Sequence, residues 1–343
     1  MKKVLALALA AAMALSMVAC GSSEPTAPAV TYKTGLGAVV EAETTDATAE
    51  AGASAQITST IVAATFDSNG VIVSIDVDSA QQKASFDLEG KAAGEIDYRT
   101  KAEKEYDYNM QAFMPTAVGE WFEQVNAFEA WATGKTVAEV VGMEFAEANA
   151  VGYTDTPADE DLKASCTISM TAILNALQKA YDNAIETTGV PAKTGLGVVV
   201  GGKVVDATAE AGASVQINTN MMAVAVDAEG NVVAAQLDVA QQKAAFDLEG
   251  KLAGEVDLRT KVEKEGDYGM KGVSAIGKEY FEQAEAFTTW MAGKTTTEVS
   301  TMPTYERDAS HTACPDVEDL KASCTITVGD YLVAFEEAVN TAK

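Results

Sequence analysis

The stretch AQQKASFDLEGKAAGE, Ala80 to Glu95, returns almost unchanged as AQQKAAFDLEGKLAGE, Ala240 to Glu255. Outward from it, KTGLGAVV at Lys33 recurs as KTGLGVVV at Lys193, and DATAEAGAS at Asp46 recurs at Asp206. Farther along, DLKASCTI begins at Asp161 and again at Asp319. Self-similarity at a nearly fixed period means one fold used twice. The copies are read as 33–185 and 193–343. Between them, 186–192 (ETTGVPA) is the linker, marked by Gly189 and Pro191.

Within the first copy, strands are predicted at Thr34 to Val40 and Gln56 to Phe66, with a turn at Asp67 to Gly70. After it Val71, Val73, Ile75 and Val77 alternate with Ile72, Ser74, Asp76 and Asp78. That period of two predicts a half-buried antiparallel strand closing a hairpin. Lys83 to Met110, rich in charge and Gly, reads as loop with short helical pieces. Trp121, Phe122, Val125, Phe128 and Trp131 fall at helical spacing. A shorter helix is expected within Gly134 to Gly142, and a last one presents Ile173, Leu177, Tyr181 and Ala184 on one face. Strands first and helices later predict an α+β domain, an antiparallel sheet with packed helices, present in two tandem copies.

The N-terminus reads differently. Lys2 and Lys3 precede an apolar run from Val4 to Val18, shorter than the roughly 20 residues a membrane-spanning helix needs. It fits a secretory signal, and MVAC (Met17 to Cys20) resembles a bacterial lipobox. Residues 1–20 are therefore expected to be a signal peptide, with Cys20 lipidated, and 21–32 a flexible tether. The expectation is a lipid-anchored protein on the extracytosolic face of the cell membrane.

Without Lys2 and Lys3, 22 of the 24 basic residues face 51 acidic ones, a net charge of −29. Such a surface repels phosphate backbones, so nucleic acid is not expected as a partner. Cys166, Cys314 and Cys324 remain after Cys20. Cys314 and Cys324 could bridge, or all three could be small buried residues.

The hairpin with its turn, the helix ending in a GKT stretch and the closing DLKASCT together resemble the FMN-binding domain family of exported electron-transfer proteins. In that family the closing motif reads D-x-x-S-G-A-T, and a flavin transferase can attach FMN through its phosphate to the last Thr. The matching residues here are Asp161 with Thr167 and Asp319 with Thr325. Ala164, Ser165 and Cys166, with Ala322, Ser323 and Cys324, depart from the family pattern. Losing the Gly removes a position where backbone approaches closely at low cost. The resemblance implies FMN as cofactor, attached covalently, held without a covalent bond, or lost.

The residues themselves add candidates. Thr167 and Thr325 are expected just before helices, where free N–H groups and the helix dipole favour a phosphate; the alternative is a helix-capping Thr. Eight Lys or Arg pairs occupy matched positions, among them Lys83 with Lys243 and Lys101 with Lys261. Lys83 and Lys243 are candidate anion contacts. The amides of Gln81 and Gln82, with Gln241 and Gln242, could match a flavin edge. The candidate set is thus Asp161, Ser165, Thr167, Lys83 and Gln82, with Asp319, Ser323, Thr325, Lys243 and Gln242. His311 is the only histidine, so a triad in each copy is excluded, and no metal motif appears. The reading is an electron carrier or binding protein. Its partners would be redox proteins or a flavin transferase. The alternative is a small-ligand-binding or structural lipoprotein that has lost the flavin site.

Overall fold

A computed structural model describes residues 30–147 and 152–343. The signal peptide, Cys20 and most of the expected tether lie outside the described residues. Among the described residues no helix is long and apolar enough to cross a membrane.

Thr31 to Lys343 form one compact unit. In the first repeat β1 (Tyr32–Thr45), β2 (Ser54–Asp67) and β3 (Ile72–Ser85) make an antiparallel meander, and the two-residue β4 (Ile185–Glu186) extends it beside β1. In the second, β5 (Lys193–Val205), β6 (Ser214–Val226) and β7 (Val232–Ala245) repeat the meander. The helices of repeat one are α1 (Lys101–Lys104), α2 (Met110–Phe113), α3 (Trp121–Ala132), α4 (Val137–Val141) and α5 (Thr171–Asp182). Those of repeat two are α6 (Lys261–Lys264), α7 (Tyr280–Met291), α8 (Thr296–Ser300) and α9 (Gly329–Thr341). A short ladder, β8 (Thr304–Tyr305) with β9 (Cys314–Pro315), completes the α+β fold.

Local chemistry explains the elements. The β2–β3 turn is fixed by Asp67 Oδ1, which accepts from Asn69 N (2.8 Å) and Val71 N (2.9 Å), while Gly70 takes a φ of 75°. Asp227 does the same for Glu229 N and Asn231 N in repeat two. Helices α1 and α6 start with capping boxes, Thr100 with Glu103 and Thr260 with Glu263. The TGLG motif sets the distance between sheet and last helix. A Cβ at Gly37 would lie 2.1 Å from the Ala176 carbonyl oxygen, and one at Gly197 would lie 1.8 Å from that of Ala334. Only glycine lets α5 and α9 seat this closely.

Among the described residues the three largest apolar clusters give four layers: helix, sheet, sheet, helix. Phe66, Ile75 and Val77 pack against Trp121, Val125, Phe128 and Leu177 on one outer side. Met222, Val224 and Leu237 pack against Tyr280, Phe287 and Phe335 on the other. Between the sheets, Leu36, Ile57, Ile61 and Phe86 join Leu196, Ile217, Met221 and Phe246 in one shared core. The repeats therefore bury their second sheet faces against each other.

That shared core corrects the half-buried reading of β3. Asp76 and Asp78 are both buried. Asp76 Oδ2 accepts from Leu196 N of the other repeat (3.0 Å), and Asp78 Oδ1 accepts from Ala102 N (3.1 Å). A bulge opposite Thr65 and Phe66 also turns Val73 outward, out of phase with Ile75 and Val77. The strands run past their expected ends because each repeat supplies a cover for the other.

The contacts are exchanged about a pseudo-twofold axis. Leu36 N donates to Gln236 Oε1, the counterpart of Leu196 N to Asp76. Ala47 N donates to the Gly250 carbonyl and Ala207 N to that of Gly90, each at 2.8 Å. Asp46 Oδ1 accepts from Leu252 N, and Asp206 Oδ1 from Ala92 N. At Gly90 and Gly250, both at φ 72°, a Cβ would run into Ala207 and Ala47. The joint is tied down too: Thr187 N donates to Tyr32 O and Thr188 N to Val233 O.

Candidate ligand-binding site

Repeat two holds a cavity of about 670 Å³ whose wall includes Thr325. The strand β7 brings Gln241, α6 brings Lys261, and α7 brings Tyr280 and Gln283. The loop between β8 and β9 supplies Arg307 and His311, and α9 supplies Tyr331.

Gln283 is the organiser. Its Oε1 accepts from Thr325 N (2.8 Å) and from Thr325 Oγ1 (3.2 Å), while its Nε2 donates to Lys278 O (3.2 Å) and Ser274 Oγ (3.1 Å). Arg307 Nη1 donates to the Thr325 carbonyl at 3.0 Å. His311 Nδ1 sits 2.7 Å from Asp308 Oδ1. Lys261 Nζ lies 5.0 Å from the centre of the Tyr280 ring and 5.2 Å from that of Tyr268, over two rings that meet edge to face. Burial pulls the Lys261 ammonium down to about 8, against the opposing charge of Asp238. Burial also drives the Tyr280 phenol well above its ordinary value, so it stays protonated. Its hydroxyl is sealed from solvent beside Tyr331, without a hydrogen bond of normal geometry.

The expected site residues do not gather in one place. Thr325 lines this cavity, but Asp319 and Ser323 line a separate one of about 430 Å³ between α7 and the turn before α9. Cys324 between them is buried. Thr167 and Thr325 are also not at a helix mouth, a correction to the sequence reading. The helices begin at Thr171 and Gly329, and the cap positions are Met170 and Val328. Thr167 instead gives its N–H (2.7 Å) and hydroxyl (3.0 Å) to Gln124 Oε1. Asp161 and Ser165 are exposed on the turn before it.

Gln82 and Gln242 are buried, with their amides donating to the Arg99 and Arg259 carbonyls at 3.2 and 3.1 Å. They hold the loop that leads into α1 and α6. Lys83 and Lys243 sit one residue on, so they project from the opposite face of the strand, and both are exposed. The amide that reaches the cavity is the neighbouring Gln241, whose Oε1 accepts from Tyr268 at 3.4 Å. Lys261 and Arg307 were not among the expected contacts. The matched pair Lys101 and Lys261 carried a usable signal, because each lies inside a T-x-x-E capping box that fixes its direction.

Repeat one is built differently at the same place. Lys101 lies over Tyr108 and Trp121, so Trp121 stands where Tyr280 stands. Ile173 replaces Tyr331. Asp155 Oδ2 accepts from Thr171 N (3.1 Å) and Ser169 Oγ (2.5 Å), putting a carboxylate at the start of α5. In repeat two the corresponding loop residue is Ala313, whose carbonyl accepts from Val328 N as that of Asp155 accepts from Met170 N. Repeat one thus combines Lys101 with a carboxylate at the start of α5, where repeat two has Lys261 with Arg307, the latter beside Asp308.

All three described cysteines are free and buried. Burial pushes Cys166 up to about 11 and Cys324 up to about 12, so neither is a reactive thiolate. No group of three or more metal-binding side chains occurs among the described residues. No family model matches the chain, and no curated protein or solved structure matches it.

Proposed function

We propose that the protein is a membrane-tethered extracytosolic carrier whose second repeat holds flavin mononucleotide without a covalent bond. The observation that carries this reading is the cavity beside Thr325, in which two cations, two phenols and two amides converge. Lys261 and Arg307 neutralise a phosphate tail, the more strongly because the surroundings of Lys261 are poor in water. Tyr280 and Tyr331 contribute aromatic surface to the cavity wall for a flat ring system. Gln241 supplies an amide for the polar rim of the ring, while Gln283 holds Thr325 in place. When bound, FMN supplies reversible electron transfer; the chain supplies position and charge.

Thr325 serves here as a contact and not as an attachment point. Its hydroxyl proton is directed at Gln283, and Ser323 and Cys324 stand where the family motif has Gly and Ala. Repeat one acts as scaffold, closing the sheet face that repeat two leaves open.

Titration of the full chain with FMN, read by flavin fluorescence, tests the proposal. One equivalent saturates the protein, and Lys261→Gln or Arg307→Gln weakens binding at least about tenfold, a loss of about 1.4 kcal/mol. Lys101→Gln leaves binding within about twofold. Absence of saturable quenching removes the flavin reading and leaves a structural lipoprotein. A flavin-sized mass on the Thr325 peptide after coexpression with a flavin transferase would replace the non-covalent form with the covalent one.

A further inference from the structure

Along the seam between the repeats, one position is filled in opposite ways. Lys179 of α5 reaches across: its Nζ donates to the Ala38 carbonyl at 3.0 Å and to Glu263 Oε1 of repeat two at 2.5 Å. The counterpart of Lys179 is Glu337 on α9, that of Ala38 is Val198, and that of Glu263 is Glu103. Glu337 Oε2 accepts from Val198 N at 3.0 Å, so an acid covers the strand edge that a base covers in the other half.

Glu103 and Glu337 consequently share a groove of about 650 Å³. Burial first, then the charge of Glu103, pushes the Glu337 carboxyl up to about 7. The nearby cations are committed elsewhere: Arg99 to Asp97 and Asp107, and Lys104 to Asp97. Val198, Val200 and Val333 give the groove an apolar wall.

We propose that this groove receives a lysine side chain from a basic segment of a partner protein, its ammonium standing where Lys179 stands in the other half. Two independent features point to an ammonium. The first is the pair of carboxylates in a cleft large enough for a side chain. The second is the duplicate, where the same glutamate position is bonded to a lysine Nζ that also takes the strand carbonyl. The four-carbon stem of a lysine would lie along the valines while its head meets Glu103 and Glu337. The strongly acidic chain draws basic partners toward it.

The test uses the full chain and a dye-labelled tetralysine peptide, followed by fluorescence anisotropy at physiological ionic strength. Glu337→Lys fills the groove from within and is expected to weaken binding at least about tenfold. Its melting temperature should stay at or above that of the unaltered protein, because the new lysine meets Glu103 as Lys179 meets Glu263. Glu210→Lys, in the exposed β5–β6 turn, makes the same change in net charge and should alter binding less than about twofold. Carbodiimide coupling should join the peptide to Glu103 or Glu337. Equal weakening by both lysine variants would reduce the effect to bulk charge and overturn the proposal. So would displacement of the peptide by calcium but not by sodium at equal ionic strength, which would make the groove a metal site.

Discussion

At the inner end of the sandwich Asp46 to Ser54 and Asp206 to Ser214 are identical letter for letter, as are Phe86 to Lys91 and Phe246 to Lys251. In the outer helices Trp121 answers to Tyr280 and Ile173 to Tyr331. The identical segments touch each other across the pseudo-twofold axis; the divergent ones face a layer that each repeat builds alone. A residue in a self-complementary seam is constrained twice, by its own repeat and by its twin. Gly90 shows this: it needs φ 72° and also clears the Ala207 methyl. Where the seam does diverge, it does so in sets. Asp76, Glu129 and Lys343 form a charged group, with Lys343 Nζ 3.1 Å from Asp76 Oδ1 and 2.5 Å from Glu129 Oε2. The corresponding residues of the other half are Gln236, Thr288 and Ile185, all neutral.

The largest expected effect tests whether the two halves stand or fall together. Gly37→Ala or Gly197→Ala drives a methyl into a helix carbonyl and should cost more than about 4 kcal/mol. Because the core between the sheets is shared, circular dichroism on heating should show one transition for either variant. Two separated transitions would mean that the repeats fold independently. Next comes Lys343→Met, which leaves two buried carboxylates unpaired and should cost about 3 kcal/mol by urea unfolding. Adding Asp76→Asn and Glu129→Gln should restore most of that loss, since the other half manages with neutral side chains.

A pH profile sharpens the same contrast. Burial raises the Glu129 carboxyl from 4.5 to about 7, the ammonium of Lys343 opposing it. The folded state then holds this proton more tightly than the unfolded chain does. The resulting stability is fully present below about pH 4.5 and is lost as pH rises through about 7. Glu129→Gln should flatten the unfolding free energy between about pH 5 and 8. The direction would be wrong if the variant steepened it. The smallest effect is expected to be symmetric: Thr100→Ala and Thr260→Ala each remove one capping-box hydroxyl, costing about 1 kcal/mol. A clear difference between them would show that α1 and α6 carry unequal load.

Much of this architecture could be read from local pattern. The five apolar residues from Trp121 to Trp131 place α3, and Asp67 to Gly70 places the hairpin turn, because each signal depends on neighbours in sequence. Asp76 and Asp78 misled for the opposite reason. As alternate polar residues on a strand they imply solvent, and nothing nearby in sequence reveals that the second sheet supplies a donor to Asp76 and the first turn of α1 one to Asp78. The TGLG glycines carry long-range information of another kind, since small residues repeated along one strand leave room for a helix to seat closely. At the candidate site the closing motif drew notice to Thr325, and Thr325 does line a cavity. Its companions Asp319 and Ser323 line a different cavity, against α7, because the buried Cys324 separates them from Thr325. Lys261 and Arg307 come from elements far apart in the chain, and only the fold brings them together.

The tied joint between the repeats has a consequence for how molecules of this protein behave toward one another. Two halves that match through a self-complementary surface could in principle be donated by different chains, giving an exchanged pair. Thr187 and Thr188, bonded to the first and last strands of opposite sheets, leave the connector no slack to reach a neighbour. The short leash keeps each half at high effective concentration for its own twin and disfavours the exchanged pair.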